Sequence, residues 1–314
     1  YNVYKGKNCV IYHPSGVDMG IVKAVEYAFN KAKTKYASMG FRVPRNDVHI
    51  MICSSSSSWL GFTPQKPISS YWWIYLNYYK CQQYVQKYND LGVWHTTVAH
   101  ELFHIVQYIT QEHWNIYLYG SGIIYWGMTK FVKEATASWA ENVVFPEDYG
   151  RGYKIYYDEY IVDALRKPHE SLMNTEFIDG WNRDPQYYSA RVFIKFLDKK
   201  KPGIVRELFE VYFPQGLLFK SSLEKMGFNL KEFYKEFAEA FWLQDSNKID
   251  HADEWPLGNV LKTYRMHKQL NVKQVVDINL RPLTSYAFEI LLTKIDNAIR
   301  IKVEASGGVE PCIV

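Results

Sequence analysis

The sequence predicts an α+β fold, and three observations lead to this prediction. Stretches rich in β-branched and aromatic residues lie near the start of the chain, on either side of a helix. Two helices without a clear polar face follow, and β-rich stretches return after residue 256. Strands, then buried helices, then further strands are the order expected of an α+β protein.

The first strand is predicted at residues 9–13, and the helix after it at about residues 21–38. Asp18 stands where an N-cap residue is expected, since its carboxylate can accept a hydrogen bond from the first helical turn. Gly40 is the expected end of this helix, because glycine readily adopts the left-handed conformation found just past a helix C-terminus. Residues 48–53 (Val-His-Ile-Met-Ile-Cys) are predicted as the second strand.

A third strand is predicted at residues 72–79, where side chains alternate between two faces. Trp73 and Tyr75 would lie on one face, and the aliphatic residues beside them on the other. The five serines at residues 54–58 precede this strand and are expected to form a flexible loop.

Two helices are predicted to be central, at residues 96–111 and 130–144, because apolar side chains surround the first almost completely. The second stops before Pro146, which cannot continue a helix. Residues 155–245 are predicted to be mostly helical, with breaks at prolines and glycines.

The predicted elements divide the chain into one large domain and an extension. The domain comprises residues 1–255, of which 1–111 hold the sheet and the first buried helix and 112–255 are mainly helical. Residues 256–314 form a β-rich extension that is too short for an independent sandwich. Its strands are predicted at residues 273–280, 285–292 and 298–303.

Charge and hydropathy argue against two classes of partner. The 37 Lys and Arg against 33 Asp and Glu give a net charge of +4, which is too mild to predict nucleic-acid binding. Apolar runs extend for only a few residues, so no membrane span is expected. The first residue is Tyr1 rather than Met, and we expect that a signal peptide has been removed and that the protein is extracellular.

Four cysteines lack Cys-x-x-Cys spacing, which argues against a zinc knuckle or a redox motif. They can form two disulfides, or they are four buried free thiols. If the first two strands are parallel, Cys9 and Cys53 lie at opposite ends of the sheet, too far apart for a bridge. The expected set is then Cys53–Cys81 with Cys9–Cys312.

The first buried helix contains the sequence His-Glu-Leu-Phe-His at residues 100–104. His100 and His104 project from one helix face and can hold one metal ion, and Glu101 can reach a water molecule on that ion. Two imidazoles and a carboxylate are costly in an apolar helix, and a metal ion removes this cost. The alternative is a pair of hydrogen-bonded core histidines.

A catalytic zinc ion needs a third protein ligand. The extended motif with glycine and a third histidine is absent, because those places hold Gln107 and Thr110. The next buried helix carries Glu134, Ser138 and Glu141 at i, i+4 and i+7, which places them on one stripe.

At these residues the chain resembles the gluzincin class of zinc metallopeptidases, in which a glutamate on a second helix completes the metal site. Within that class it resembles secreted prokaryotic members with His-Glu-x-Phe-His followed by Glu-Gly-x-Ala-x-Trp-x-Glu. The second stretch here is Glu-Ala-Thr-Ala-Ser-Trp-Ala-Glu, at residues 134–141, so Ala135 replaces the glycine. Lys133 and Ser138 depart from the Asn-Glu-x-x-x-Asp pattern of thermolysin-like members. The resemblance covers about residues 94–196.

The resemblance implies a zincin-like catalytic domain that hydrolyses peptide bonds in polypeptides, most simply as an endopeptidase. It implies that His100, His104 and Glu134 bind one zinc ion and that Glu101 is the general base. Glu141 would hold a ligand imidazole in one tautomer. The opposite assignment, with Glu141 as ligand and Glu134 as support, stays open.

The resemblance also suggests residues around the substrate. Tyr188, or Tyr187 as the alternative, aligns with a tyrosine that stabilises the tetrahedral intermediate in relatives. In zincins an edge strand above the metal pairs with the substrate backbone, which would give Trp73 and Tyr75 a place in the cleft. For all four residues, packing is the competing interpretation.

Two other functions fit the sequence. The chain would be an inactive binding module if it kept the zincin fold without activity, although the intact Glu101 argues against this. The aromatic content of 17% would also suit a carbohydrate or cell-wall binder.

Overall fold

The computed structural model describes residues 1–111 apart from 65, 66 and 69, then 125–146, 191–242 apart from 216 and 218, and 247–248. Within these residues a mixed five-stranded sheet is combined with helices. The predicted α+β class is therefore confirmed. The β-rich extension at residues 256–314 lies outside the described residues.

The sheet has the strand order β1-β2-β3-β5-β4. Its central strands β2, β3 and β5 are parallel, and β1 and β4 pair antiparallel at the two edges. The strands are β1 (Asn2–Lys5), β2 (Cys9–His13), β3 (Val48–Cys53), β4 (Gly61–Phe62) and β5 (Trp73–Asn77). The predictions at 9–13 and 48–53 are confirmed, whereas β1 and the short β4 were not predicted.

Eight α-helices lie in the described part of the chain. The first four are α1 (Met19–Ser38), α2 (Tyr78–Tyr88), α3 (Gly92–Gln111) and α4 (Tyr125–Val144). The others are α5 (Arg191–Lys200), α6 (Ile204–Glu207), α7 (Phe219–Lys225) and α8 (Leu230–Trp242). A π-helical turn (Leu208–Tyr212) and a 3-10 turn (Phe213–Gln215) connect α6 to α7. The described residues after 190 are thus helical, as predicted.

Helix α1 begins and ends at the predicted signals. Asp18 is the N-cap, and its Oδ1 accepts a hydrogen bond from the Gly20 amide at 2.7 Å. Gly40 has a φ of +84°, a conformation that glycine adopts without strain. Inside the protein, the Tyr36 hydroxyl donates to the Ala99 carbonyl at 2.9 Å, which attaches α1 to α3.

The third strand is shorter than the sequence predicts. It ends at Asn77, because the side-chain oxygen of Asn77 accepts from the Lys80 amide and caps α2. At the other end of α2, Asn89 has a left-handed φ of 51°. Residues 78 and 79, expected in the strand, are therefore the first turn of a helix that alternation alone did not predict.

Helix α3 lies at the centre of the hydrophobic core, as its apolar surface predicts. Phe103 shows the packing, because its ring makes edge contacts with rings from three parts of the chain. These are Tyr36 and Phe41 at the end of α1 and just after it, Trp139 in α4, and Phe209 in the π-helical turn. Phe103 is fully buried. Burying such a side chain stabilises the fold by about 1.5–3 kcal/mol.

The expected disulfide between Cys53 and Cys81 is not formed. Cys9, Cys53 and Cys81 are free thiols, and Cys312 lies outside the described residues. Cys81 lies in α2, where its Sγ is 3.8 Å from the Leu60 carbonyl. Burial raises the pKa of Cys9 to about 12, so this thiol stays protonated. The cysteines do not support the expected extracellular location, which stays a prediction.

None of the described helices combines the length and the apolar surface that a membrane crossing requires.

Candidate metal centre

Helices α3 and α4 bring together two imidazoles and one carboxylate. The Nε2 atoms of His100 and His104 are 3.0 Å apart. Oε2 of Glu134 lies 3.2 Å from the first of these nitrogens and 3.6 Å from the second. All three donor atoms thus face one point, and together they form a group able to hold a metal ion.

The outer nitrogens of both imidazoles are held by other side chains. His100 Nδ1 is 2.6 Å from Oε1 of Glu141, and His104 Nδ1 is 2.8 Å from Oε1 of Gln107. Both contacts favour a proton on Nδ1, which leaves Nε2 available to a metal. Since Glu141 lies on the Nδ1 side and Glu134 on the Nε2 side, the geometry favours Glu134 as the third ligand.

The inner side of the cluster, where the two Nε2 atoms and Oε2 of Glu134 meet, can accommodate a cation. Two Nε2 lone pairs that face each other at 3.0 Å repel unless a proton or a metal ion lies between them. Ligand atoms about 2.1 Å from a tetrahedral ion lie about 3.4 Å apart. The observed separations of 3.0, 3.2 and 3.6 Å surround that value. The Glu134 side chain is 21% exposed, so the cluster is open on one side.

Without a metal ion, the two carboxylates favour a proton on the His100 imidazole. Burial lowers the pKa of His100, but the hydrogen bonds with Glu134 and Glu141 outweigh burial and raise its pKa well above the ordinary value. Burial raises the pKa of Glu134, but His104 and His100 outweigh it and hold that pKa well below the ordinary value. The His100 imidazole and the Glu134 carboxylate therefore stabilise each other in their charged forms.

The carboxylate of Glu101 is held by the chain around β4, which lies directly on α3. The Thr63 hydroxyl is 2.7 Å from Oε2 of Glu101 and 3.1 Å from its backbone carbonyl. Gly61 approaches so closely that a Cβ there would lie 2.6 Å from Cγ and Oε1 of Glu101. Burial raises the pKa of Glu101, while the histidines and Thr63 oppose this shift.

The serine loop before β4 is anchored by Asn77. The side-chain amide of Asn77 donates to the carbonyls of Ser55, Ser57 and Trp59 at 3.0–3.2 Å, and Asn77 is fully buried. Its backbone amide donates to the Leu60 carbonyl at 2.8 Å. The loop that was expected to be flexible is thus tied to the end of β5, and this fixes the approach of β4 to Glu101.

The structure does not bring Trp73 and Tyr75 to the metal cluster. Strand β5 is not the edge strand, because β4 pairs with its outer side. Ile74 and Leu76 face the core that contains α3, so the alternating side chains point to the opposite face of the sheet. There the ring of Trp73 stacks on Tyr12 with centroids 5.4 Å apart.

An aromatic stack reaches the site from Trp72, the residue directly before β5. Trp72 stacks on Tyr108 with centroids 6.1 Å apart, and Tyr108 stacks on the His104 ring at 6.2 Å. The Lys133 ammonium lies 4.5 Å from the centroid of the Tyr108 ring. Burial lowers the pKa of Lys133 to about 8, and Glu134 opposes this shift. The stack continues the helix face that carries both histidines.

Sequence analysis does not predict several of these residues. The sequence does indicate that Tyr108 lies near the site, because it is four residues after His104 and therefore on the same helix face. Gln107 was noted only as a missing glycine. Gly61 and Thr63 have no sequence signal, because they reach Glu101 only through the pairing of β4.

Tyr187 and Tyr188 lie outside the described residues. No protein-family model matches the chain, and no curated protein or solved structure matches it. The chemistry of the site is therefore inferred from its own geometry.

Proposed function

We propose that the protein is a zinc-dependent metallopeptidase of the gluzincin type, which hydrolyses peptide bonds in polypeptides. The observation that carries the proposal is the convergence of His100, His104 and Glu134 on one point, with Glu101 buried beside them. Two imidazoles and one carboxylate are a donor set typical of catalytic zinc, and the open side leaves a position for water or substrate.

When bound, the zinc ion would activate a water molecule and polarise the scissile carbonyl. Glu101 would take a proton from the attacking water and pass it to the amine nitrogen of the leaving group. Thr63 orients this carboxylate, since its hydroxyl lies 2.7 Å from Oε2. Glu141 holds the His100 ring through Nδ1.

Burial prepares Glu101 for both halves of this proton transfer. Desolvation raises its pKa, which makes the carboxylate a stronger base than one in water. The hydrogen bond from Thr63 acts in the opposite direction, because it favours the ionised form of the carboxylate. The Glu101 side chain, at 5% exposure, is also shielded from bulk water.

The experiment pairs elemental analysis with digestion of a generic unfolded protein, using the wild type, Glu101→Gln and Glu224→Gln. Glu224 is an exposed glutamate on α7 and serves as the matched control. We expect about one zinc per chain in all three proteins, and chelator-sensitive cleavage by the wild type and the control only. Bound zinc without cleavage by the wild type would instead favour the inactive binding module.

A further inference from the structure

The side-chain amide of Gln107 connects a metal-site histidine to the helix that carries Glu134. Its Oε1 lies 2.8 Å from His104 Nδ1, and its Nε2 donates to the Lys133 carbonyl at 2.9 Å and to the Thr136 hydroxyl at 2.8 Å. Gln107 is fully buried, so these three contacts satisfy its amide without solvent.

The orientation of this amide is determined by its partners. A backbone carbonyl can only accept, so the nitrogen of the Gln107 amide must face Lys133. The Thr136 hydroxyl donates to the Val132 carbonyl at 2.6 Å, and it therefore accepts from Gln107. With both N–H groups directed at α4, Oε1 is the atom that faces His104.

An amide oxygen only accepts hydrogen bonds, so the proton between Gln107 and His104 belongs to Nδ1 of the imidazole. The Nε2 lone pair of His104 then faces His100 Nε2 and Oε2 of Glu134. The same amide holds the backbone at Lys133, the residue directly before Glu134. One side chain thus orients one ligand and fixes the helix position of another.

We propose that Gln107 is a positioning residue that fixes the Nδ1–H tautomer of His104 and couples this ring to the helix bearing Glu134. The proposal rests on the proposed function in taking the bound ion as zinc. The role of Gln107 is distinct from that of Glu141, which holds the imidazole of His100. A glutamine at this place supplies the oxygen that a glycine there cannot supply.

The direct test is the protonation of the His104 ring, read by nitrogen NMR of histidine-labelled protein with and without zinc. We expect the attached proton on Nδ1 in both states, and the assignment is made by comparison with a His104→Gln sample. A His104 Nδ1 without a proton would overturn the proposal. This measurement does not depend on cleavage, and its metal-free arm does not depend on zinc.

The second test is zinc affinity, measured by competition with a chelator. In Gln107→Met the acceptor is lost, and zinc should bind about 10–100-fold more weakly. In Gln107→Glu a carboxylate oxygen still accepts from Nδ1, but the donors to the Lys133 carbonyl and the Thr136 hydroxyl are lost. Zinc affinity should therefore fall, but by less than in Gln107→Met.

Ser138→Ala is the control, and it lies on α4, the helix that Gln107 contacts. Ser138 is equally buried, and its hydroxyl makes no hydrogen bond among the described residues, so its removal should leave zinc affinity unchanged. A folded Gln107→Met protein with the zinc affinity of the wild type would contradict the proposal. So would a Gln107→Glu protein that binds zinc as weakly as Gln107→Met, since the Glu variant keeps the acceptor. If the Met variant does not fold, the NMR measurement decides.

Discussion

Replacing Gly61 with alanine tests whether β4 positions the carboxylate of Glu101, the proposed general base. The new Cβ would lie 2.6 Å from Cγ and Oε1 of Glu101 and 2.8 Å from Cγ2 of Thr97. Ordinary carbon contacts are about 3.5–4.0 Å, so Glu101 or β4 must move by about 1 Å. Glu101 is buried and bonded to Thr63, which restricts where its side chain can go.

A displacement of about 1 Å at a catalytic group lowers activity by about 100-fold, or about 2.7 kcal/mol of transition-state stabilisation. We therefore expect kcat/KM of Gly61→Ala to fall by this factor. Zinc content should stay at that of the wild type, because no donor atom of the cluster is among the close contacts. Overpacking should also lower the free energy of unfolding by about 1–3 kcal/mol.

The assay is hydrolysis of a quenched fluorescent peptide, with zinc content and thermal unfolding measured on the same samples. Gly20→Ala is the matched control, because its Cβ meets only Asp18, at 3.2 Å or more, in α1. The control should keep full activity. If Gly61→Ala retains activity within threefold of the wild type, β4 does not hold Glu101 in its working position.

Three further predictions follow from the cluster and the thiols. Thr63→Val should lower kcat by about 10–100-fold, since a hydrogen bond to a charged group contributes about 1.5–3 kcal/mol, whereas Thr63→Ser should restore most of it. Because the Thr63 hydroxyl lowers the pKa of Glu101, the acid limb of the Val variant's activity profile should move to higher pH, and an unchanged limb would argue against this contact. The pKa of His100 is raised in the metal-free folded protein. The protonated His100 ring therefore stabilises the fold fully below about pH 6.5, and this stabilisation is lost as the pH rises through the pKa of His100 in the folded protein. Zinc binding at pH 7 should therefore release about one proton, and zinc affinity should rise with pH. Calorimetry in two buffers with different ionisation enthalpies measures this release, and zinc binding without proton release would contradict the raised pKa of His100. Thiol titration without reductant should detect at least three thiols after denaturation and none at Cys9 or Cys81 in the native state; fewer than three would indicate a disulfide.

Most of the elements that carry the metal site could be predicted from local sequence. The two buried helices, the strands at 9–13 and 48–53, and the cap at Asp18 have periodicity or capping signals that act over a few residues. The predicted end of the strand at 72–79 was wrong, since the strand ends at Asn77. Asn77 caps the following helix, and this preference outweighs the alternation of side chains that predicted a longer strand.

The residues around Glu101 could not be predicted, because they depend on pairing between distant segments. β4 has only two residues, and it is a strand only because β5 pairs with it. The side of the sheet that faces the cluster was also unpredictable. Side-chain alternation gives β5 two faces, and only the packing of α3 against the face with Ile74 and Leu76 decides which one turns away from the His-His-Glu cluster.

The sequence by itself determined the two histidines one helical turn apart, the glutamate beside them and the glutamate stripe on a second apolar helix, because helix geometry fixes spacing within one element. Only the tertiary structure decided which glutamate faces the Nε2 atoms and which faces Nδ1. It also placed Gln107 on His104 and Thr63 on Glu101. These contacts depend on how helices and strands pack, and packing distances between elements are not encoded in the spacing of residues along either one.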